Sequence, residues 1–265
     1  MKRTLIAVSI LLFVLAAGLA MAQPPSPQAQ QPASQAQQPA APATASAFTD
    51  VYHVHLVKAA PGKTTELERS LTAPSVDTPM PTHVLLLRHR EGDDWDFASV
   101  AHQGAAFTVK ASDVRMTPAR ALREHHTDTI ATGPAWPEFA RAMGLAGPQA
   151  GAQPAGDVVY ILSTYRGLPQ HREQLYQTFL KIEKAARKPG NTVILRHAEG
   201  GDWDYAVITR YDSWQDMAAD QTDAAGEQRE KRAGFTQNPG LELREHMVAH
   251  HDTIADRVAV QAAPK

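Results

Sequence analysis

Apolar and polar residues alternate in short runs along this 265-residue chain, and each run is closed by glycine, proline or a charged cluster. Val51 to Val57 and Val158 to Thr164 are β-branched and aromatic stretches bounded by turn residues, which predicts strands. After the later one the period changes. Leu175, Phe179, Ile182 and Ala186 fall at helical spacing, basic residues crowd the last turn, and Pro189-Gly190 ends it. The counterpart after Val57 is shorter and stops near Pro74. Val84 to Arg90 and Thr192 to Ala198 predict a second strand in each stretch, and Trp95 to Ala101 and Trp203 to Tyr211 a third. Between them Gly92 and Gly200 permit the positive φ that a hairpin turn needs. Ser213 with Asp216 predicts a helix N-cap, with helix running on towards Gly234. A fourth strand is predicted over Ala119 to Thr127, and again over Leu241 to Val248. The order is βαββαβ, twice, the split βαβ arrangement of ferredoxin-like folds.

The two stretches are copies of each other. Residues 87–98 and 195–206 are identical at 9 of 12 positions at an offset of 108. The same offset pairs Tyr52 with Tyr160, Pro61 with Pro169 and Leu67 with Leu175. Leu122-Arg-Glu-His125 recurs as Leu243-Arg-Glu-His246, and Asp128-Thr-Ile-Ala131 as Asp252-Thr-Ile-Ala255. A tandem duplication of a unit too small to close its own sheet predicts that the copies pack on each other.

Composition sets the boundaries and the address. Lys2 and Arg3, an apolar run from Leu5 to Leu19, and Ala20-Met21-Ala22 form a Sec-type signal pattern, so residues 1–22 are predicted to be a leader. Residues 23–47 are Gln, Pro, Ala and Ser with almost no charge, a solvated spacer. Residues 144–156 are a second spacer, which leaves repeats over 48–143 and 157–258 and a tail over 259–265. Export to the periplasm is expected, with no stable membrane span after cleavage. Formal charge goes from −2 to −4 when the leader is removed, and with acids and bases interspersed there is no basic face for nucleic acid. The absence of cysteine excludes disulfides, thiolate metal sites and a thiol nucleophile. Phosphate loops, Gly-x-Ser-x-Gly elbows and His-Glu-x-x-His motifs are also missing.

The Pro-started first helix, the hairpin rich in Arg, Asp and aromatics, and Tyr211-Asp-Ser-Trp214 resemble the dimeric α/β-barrel superfamily, which includes the antibiotic-biosynthesis monooxygenase-like domains. The resemblance covers both repeats. It implies an α+β fold in which two ferredoxin-like repeats pack sheet on sheet as a pseudo-dimeric barrel. Where the aromatic motif should recur, the first copy has Gln103-Gly-Ala-Ala106, so its second helix is expected to be shortened or rebuilt. Haem-degrading relatives use an Asn on the first strand with a Trp and a His on or near the second helix. Here the only asparagines are Asn191 and Asn238, and no His lies between Tyr211 and Glu245. Trp214 is accordingly read as a core residue on the helix face.

The duplicated polar and aromatic residues are the candidate interface or pocket: Arg88, His89, Trp95, Glu124 and His125, with Arg196, His197, Trp203, Glu245 and His246. With the sheet ordered 4-1-3-2, the second strand of one copy meets the fourth of the other. This predicts Arg88 or His89 near Glu245 or His246, and Arg196 or His197 near Glu124 or His125. Twelve histidines suggest a metal centre, with His246, His250, His251 and Asp252 as its ligands. His125, His126 and Asp128 cluster similarly, and His53 and His55 share a face of the first strand where the second copy has Ile161 and Ser163. Three functions remain open. The chain is a scaffold or a binder of a small apolar or aromatic molecule, an enzyme of the cofactor-independent or haem-linked monooxygenase kind, or a His-rich metal-binding module.

Overall fold

In the computed structural model, alternation along each predicted run folds into a strand that buries one row of side chains inwards. The structure describes residues 48–73, 83–105, 120–146 and 157–260. The predicted leader, the first spacer, most of the second spacer, the end of the tail and the stretch expected to hold the first copy's second helix lie outside these residues. β1 (Asp50–Ala59), α1 (Thr64–Thr72), β2 (Val84–Glu91), β3 (Phe97–Ala105) and β4 (Arg123–Gly133) come first. A short helix, α2 (Trp136–Ala142), leads to β5 (Val159–Gly167), α3 (Arg172–Ala185), β6 (Thr192–Gly200) and β7 (Tyr205–Tyr211). Helices α4 (Trp214–Thr222), α5 (Gly226–Ala233) and α6 (Pro239–Arg244) then precede β8 (Met247–Arg257).

The strands close a barrel in the order β1-β3-β2-β8-β5-β7-β6-β4, with every neighbouring pair antiparallel. The first four strands and the last four each follow the order 4-1-3-2. They join where β2 meets β8 and where β4 meets β6. Closure removes every open edge, which an exposed ferredoxin-like sheet would otherwise present to other chains.

The interior is filled by its own side chains. Tyr52, Val54, Leu85, Leu87, Val100, Tyr160, Leu162, Val193, Leu195 and Ile208 form one buried cluster. Helix α2, which the periodicity did not predict, belongs to that cluster through Phe139, Ala140 and Met143 and caps the barrel end where β1 and β5 begin. Two tyrosines tie it down: Tyr52 donates its hydroxyl to the Pro134 carbonyl at 2.7 Å, and Tyr160 donates to that of Met143 at 2.8 Å. Trp95 and Trp203 fill the opposite mouth. Burying each such large side chain contributes about 1.5–3 kcal/mol. Outside the barrel, α1 packs Leu67 and Leu71 on Val57, Leu86 and Phe97, and α3 packs Leu175 and Phe179 on Tyr205.

Several local signals appear where the sequence puts them. Ser213 accepts the Asp216 amide at 3.1 Å, and α5 stops at Gly234 with φ 98°. Gly92 and Gly200 turn their hairpins with φ 125° and 112°. Two expectations fail. The fourth strands begin at Arg123 and Met247, later than predicted, because Arg120–Leu122 forms a 3-10 turn and Pro239–Arg244 a helix capped by Asn238. Trp214 is exposed rather than core, since it opens α4 on the solvent side of its cap. Among the described residues no helix is long and apolar enough to cross a membrane.

Candidate functional site

The duplicated residues settle into structural roles. The carboxylate of Asp96 accepts the Ala59 amide at 2.7 Å and that of Asp204 accepts the Gly167 amide at 2.8 Å, each holding the end of a first strand. Asp94 pairs with Lys58, and Asp202 with Arg166 at 2.7 Å, at the exposed rim of the mouth. Inside it, His89 packs on Trp95 and His197 on Trp203, both with ring centroids 5.7 Å apart.

The predicted cross-copy pairs do not form, although the strands that were to carry them do meet. Arg88 lies opposite Asp256 and His89 opposite Ala255, and both Arg88 and Arg90 pair with Asp256. Glu245 and His246 precede β8, roughly 35 Å along the strand direction from Asp256 at about 3.3 Å per residue. On the other seam Arg196 faces Thr132 and His197 faces Ala131, while His125 reaches the Asp94 carbonyl at 3.3 Å. Glu124 sits exposed at the start of β4. The cause is that each fourth strand meets the other half only through its later residues, Ile254 to Arg257 on one seam and Thr129 to Thr132 on the other, while Leu-Arg-Glu-His lies at or before the opposite end of its strand.

The predicted metal set is dispersed for a related reason. Successive residues of a strand face opposite ways. His250 and Asp252 point outwards, 3.6 Å apart, and His251 turns to Asp93 at 3.9 Å. His246 precedes the strand and meets His171, Nδ1 to Nδ1 at 3.1 Å. Among the described residues no group of three or more His, Asp or Glu converges as a metal site.

The polar cluster that does assemble is on the outer face of the first half. Register places His55 opposite Asp128, with His53 and His126 on the same face of β1 and β4. Asp128 is held by both of its oxygens, by His53 Nε2 at 2.9 Å and by His126 Nε2 at 3.0 Å. His55 meets the His126 ring edge-on at 5.5 Å and stacks beside His53 at 6.1 Å. Its own Nε2 is shielded and has no hydrogen-bond partner. Burial pushes the His55 pKa down to about 4; Asp128 works against this, and His53, His126 and Arg123 add to it. His55 is therefore a neutral imidazole at pH 7. For Asp128, burial acts to raise the pKa, but the His53 hydrogen bond and the surrounding imidazoles hold it below the usual carboxylate value. His126 is the most open member, with 31 % of its side chain exposed, and gives the network its route to solvent.

Sequence reading noticed His53 and His55 and, separately, His126 and Asp128. It could not join them without the register of β1 on β4. The available signal was the contrast between copies. On β5 and β8 the equivalent positions are Ile161 and Ser163 beside Asp252 and His250. The flanking strand differs too: Ser99 and Ala101 stand beside His55 and His53, where β7 has Val207 and Thr209. The first half thus has smaller neighbours around its histidines.

No known family's sequence profile matches the chain, and no curated protein matches it. Solved structures do. A crystal structure of an anthrone oxidase-like protein shares 12 % identity with a TM-score of 0.50, covering 82 % of this chain and 94 % of that one. The likeness is one of fold. A candidate monooxygenase of Lactobacillus acidophilus NCFM follows at 10 % identity and TM-score 0.45, covering 82 % and 98 % of the two chains. The eight-stranded antiparallel barrel is closed within one chain.

The family resemblance in the sequence raises haem as a cofactor. A surface cleft of about 200 Å³ lies between α2, α3 and β6, lined by Phe48, Tyr176 and Leu180 and by Glu138, Arg141 and Glu183. It is smaller than the roughly 300–1,000 Å³ of small-molecule sites. It offers no histidine to iron, and its two carboxylates, Glu138 and Glu183, outnumber its one cation, Arg141, where haem would bring two more carboxylates. These residues do not fit haem.

Proposed function

We propose that this protein is a cofactor-independent oxygenase-type enzyme. It acts on a small aromatic ketone with an acidic C–H bond, and its working residues are His126, Asp128, His53 and His55. One observation carries the reading. A partly buried network of three histidines and a carboxylate occupies one half of the barrel, while the other half keeps Asp252 and His250 but has Ile161 and Ser163 in place of His53 and His55. A scaffold role accounts for the repeated residues but not for His53 and His55, because β5 makes the same strand pairing with Ile161 and Ser163 in their places.

The chemistry follows from the geometry. His126, open to solvent and held by Asp128, takes the proton from the substrate carbon as general base. Asp128 orients the ring and stabilises the imidazolium that forms, and His53 fixes the carboxylate's other oxygen. His55, kept neutral by burial, adds no competing positive charge. Its unpartnered Nε2 pairs with the substrate's carbonyl oxygen once the ligand displaces the atoms that cover it. The resulting carbanion reacts with O₂, so that a CH₂ group plus O₂ becomes C=O plus water. An anthrone is the first substrate to try, because the structural relative is named for one.

The decisive experiment is aerobic incubation of the full chain with anthrone, following oxygen uptake and anthraquinone together. Wild type should exceed the buffer rate, and Asp128→Asn should fall by roughly 100-fold or more, the range of a lost general base. Oxygen uptake equal to the buffer rate, or unchanged in Asp128→Asn, sinks the proposal.

We also infer that the barrel arose as two ferredoxin-like repeats and works outside the cytoplasm after cleavage behind Ala22. N-terminal sequencing of the protein recovered from its own envelope should begin at Gln23. A chain that begins at Met1 there would refute this.

A further inference from the structure

A second polar cluster, not used by that chemistry, lies at the capped end of the barrel. Asp50 at the start of β1 accepts a hydrogen bond from His102 Nε2 at 2.7 Å, and the same oxygen accepts the backbone amide of Trp136 at 2.9 Å. His102 Nδ1 in turn lies 3.1 Å from His83 Nδ1. His83 stacks on the Trp136 indole with centroids 4.5 Å apart and planes 12° from parallel. Asp50 and His102 are mostly buried, while His83 is partly exposed.

With both rings neutral, donor and acceptor rules order the protons along this line. An ionised carboxylate only accepts, so His102 Nε2 carries a hydrogen. A neutral His102 then has a bare Nδ1, which obliges His83 Nδ1 to donate. A neutral His83 is thereby left with an unprotonated Nε2, the reverse of the tautomer that free imidazole side chains prefer. Stacking on Trp136 holds the ring in place. Burial keeps the His83 pKa below its ordinary value, so the ring is uncharged at neutral pH.

We propose that Asp50, His102 and His83 form a second reactive site, in which His83 Nε2 is a relay-activated nucleophile towards small activated esters. The lone pair of Nε2 attacks the ester carbonyl and the carbon–oxygen bond breaks, releasing the alcohol as its anion. The positive charge on the acylated ring is relieved as Nδ1–H passes its proton towards His102, which is steadied by Asp50. Water then attacks the acyl-imidazole and returns the acid and the free ring, so the net change is ester plus water to acid plus alcohol. His171 and His246 provide an internal reference. They make the same Nδ1 to Nδ1 contact at 3.1 Å, with no carboxylate hydrogen-bonded behind either ring among the described residues.

The test uses the full chain and p-nitrophenyl acetate, with acetylated histidines located by mass spectrometry and ring tautomers assigned by long-range ¹H–¹⁵N NMR. His83 should be acetylated at least about tenfold faster than His171, and Asp50→Asn should remove most of that advantage. NMR of the unmodified chain should show His83 protonated at Nδ1, a readout that stands even where a variant fails to fold. Equal acetylation of His83 and His171, or a His83 ring protonated at Nε2, overturns the proposal. Neither outcome bears on oxidation of anthrone, which uses different residues.

Discussion

Where β1 sets His53 and His55 beside Asp128, β5 sets Ile161 and Ser163 beside Asp252. Around these positions the halves agree closely. Asp96 and Asp204 hold strand-end amides, Trp95 and Trp203 fill the mouth, and Tyr52 and Tyr160 pin the capping helix. Residues that recur in both halves and hold a strand end, a mouth or the capping helix are accounted for by the barrel itself. Those present in only one must be explained otherwise. A shielded, unpaired imidazole nitrogen such as His55 Nε2 costs about 1–3 kcal/mol, and β5 makes the same strand pairing with Ser163 in its place. The difference separates architecture from chemistry within a single chain.

The largest effect should fall on a shared feature. Gly92 and Gly200 sit at positive φ where each hairpin crosses the other half's fourth strand. An added Cβ would meet the Asp252 carbonyl oxygen at 2.2 Å in one case and that of Asp128 at 2.2 Å in the other. Backbone cannot yield as a flexible side chain can. Gly92→Ala and Gly200→Ala should therefore each lower stability by about 3–5 kcal/mol, measured by urea denaturation. They should part company in activity. Gly200→Ala presses on the backbone of Asp128 and should lose more turnover than Gly92→Ala at equal folded fraction. Equal losses would remove the functional distinction between the halves.

The next effect belongs to one half. His55 is 4 % exposed and has its pKa lowered from 6.5 to about 4. Between those values the unfolded chain binds a proton that the folded chain refuses, so stability falls as pH drops from about 6.5 to about 4. The change is on the order of 3 kcal/mol. Asp128, with its pKa also lowered, adds its own loss only further into acid. His55→Ser, which copies the second half, should flatten the slope between pH 6.5 and 4. At pH 7 it should stay within about 1 kcal/mol of the parent, because the lost ring packing opposes relief of the unpaired nitrogen. A parent protein with no such slope would show that His55 takes its proton in the folded state.

How much of this could be read beforehand follows from range. Strands, the α3 helix, the Ser213 cap and the hairpin glycines depend on neighbours a few residues away, and alternation and turn chemistry expose them. The joining of β2 to β8 and β4 to β6 was legible from the duplication and a known strand order. The register was not. Residues 122–125 and 243–246 are identical in sequence, but Arg123 to His125 open β4 while Leu243 and Arg244 end α6, and no local period reveals where a strand begins once a helix competes for the same residues. The seams use the far ends of the fourth strands, and that displaced every predicted cross-copy contact. The site suffered from the same gap, because His53 and Asp128 become neighbours only through the β1–β4 ladder. Helix α2 escaped notice for another reason: Trp136-Pro-Glu-Phe-Ala-Arg-Ala is too short for its period to stand out.

The smallest effect should come from the charged rim, which is shared by both halves and yet exposed. Lys58 pairs with Asp94, and Arg166 with Asp202 at 2.7 Å, with 69 % and 84 % of the two aspartate side chains open to water. Solvent screens such pairs, and ordering two side chains offsets most of the attraction. Lys58→Met and Arg166→Met should leave the urea midpoint unresolved from the parent, at low and high salt alike. The aspartates two residues further on behave differently, because Asp96 and Asp204 accept buried strand-end amides. Replacing either with alanine should cost about 1–3 kcal/mol. A rim variant as damaging as Asp96→Ala would mean that repetition alone marks a stabilising residue. Near-silent rim variants would instead show that a repeated residue matters only where it satisfies a backbone group the fold has buried.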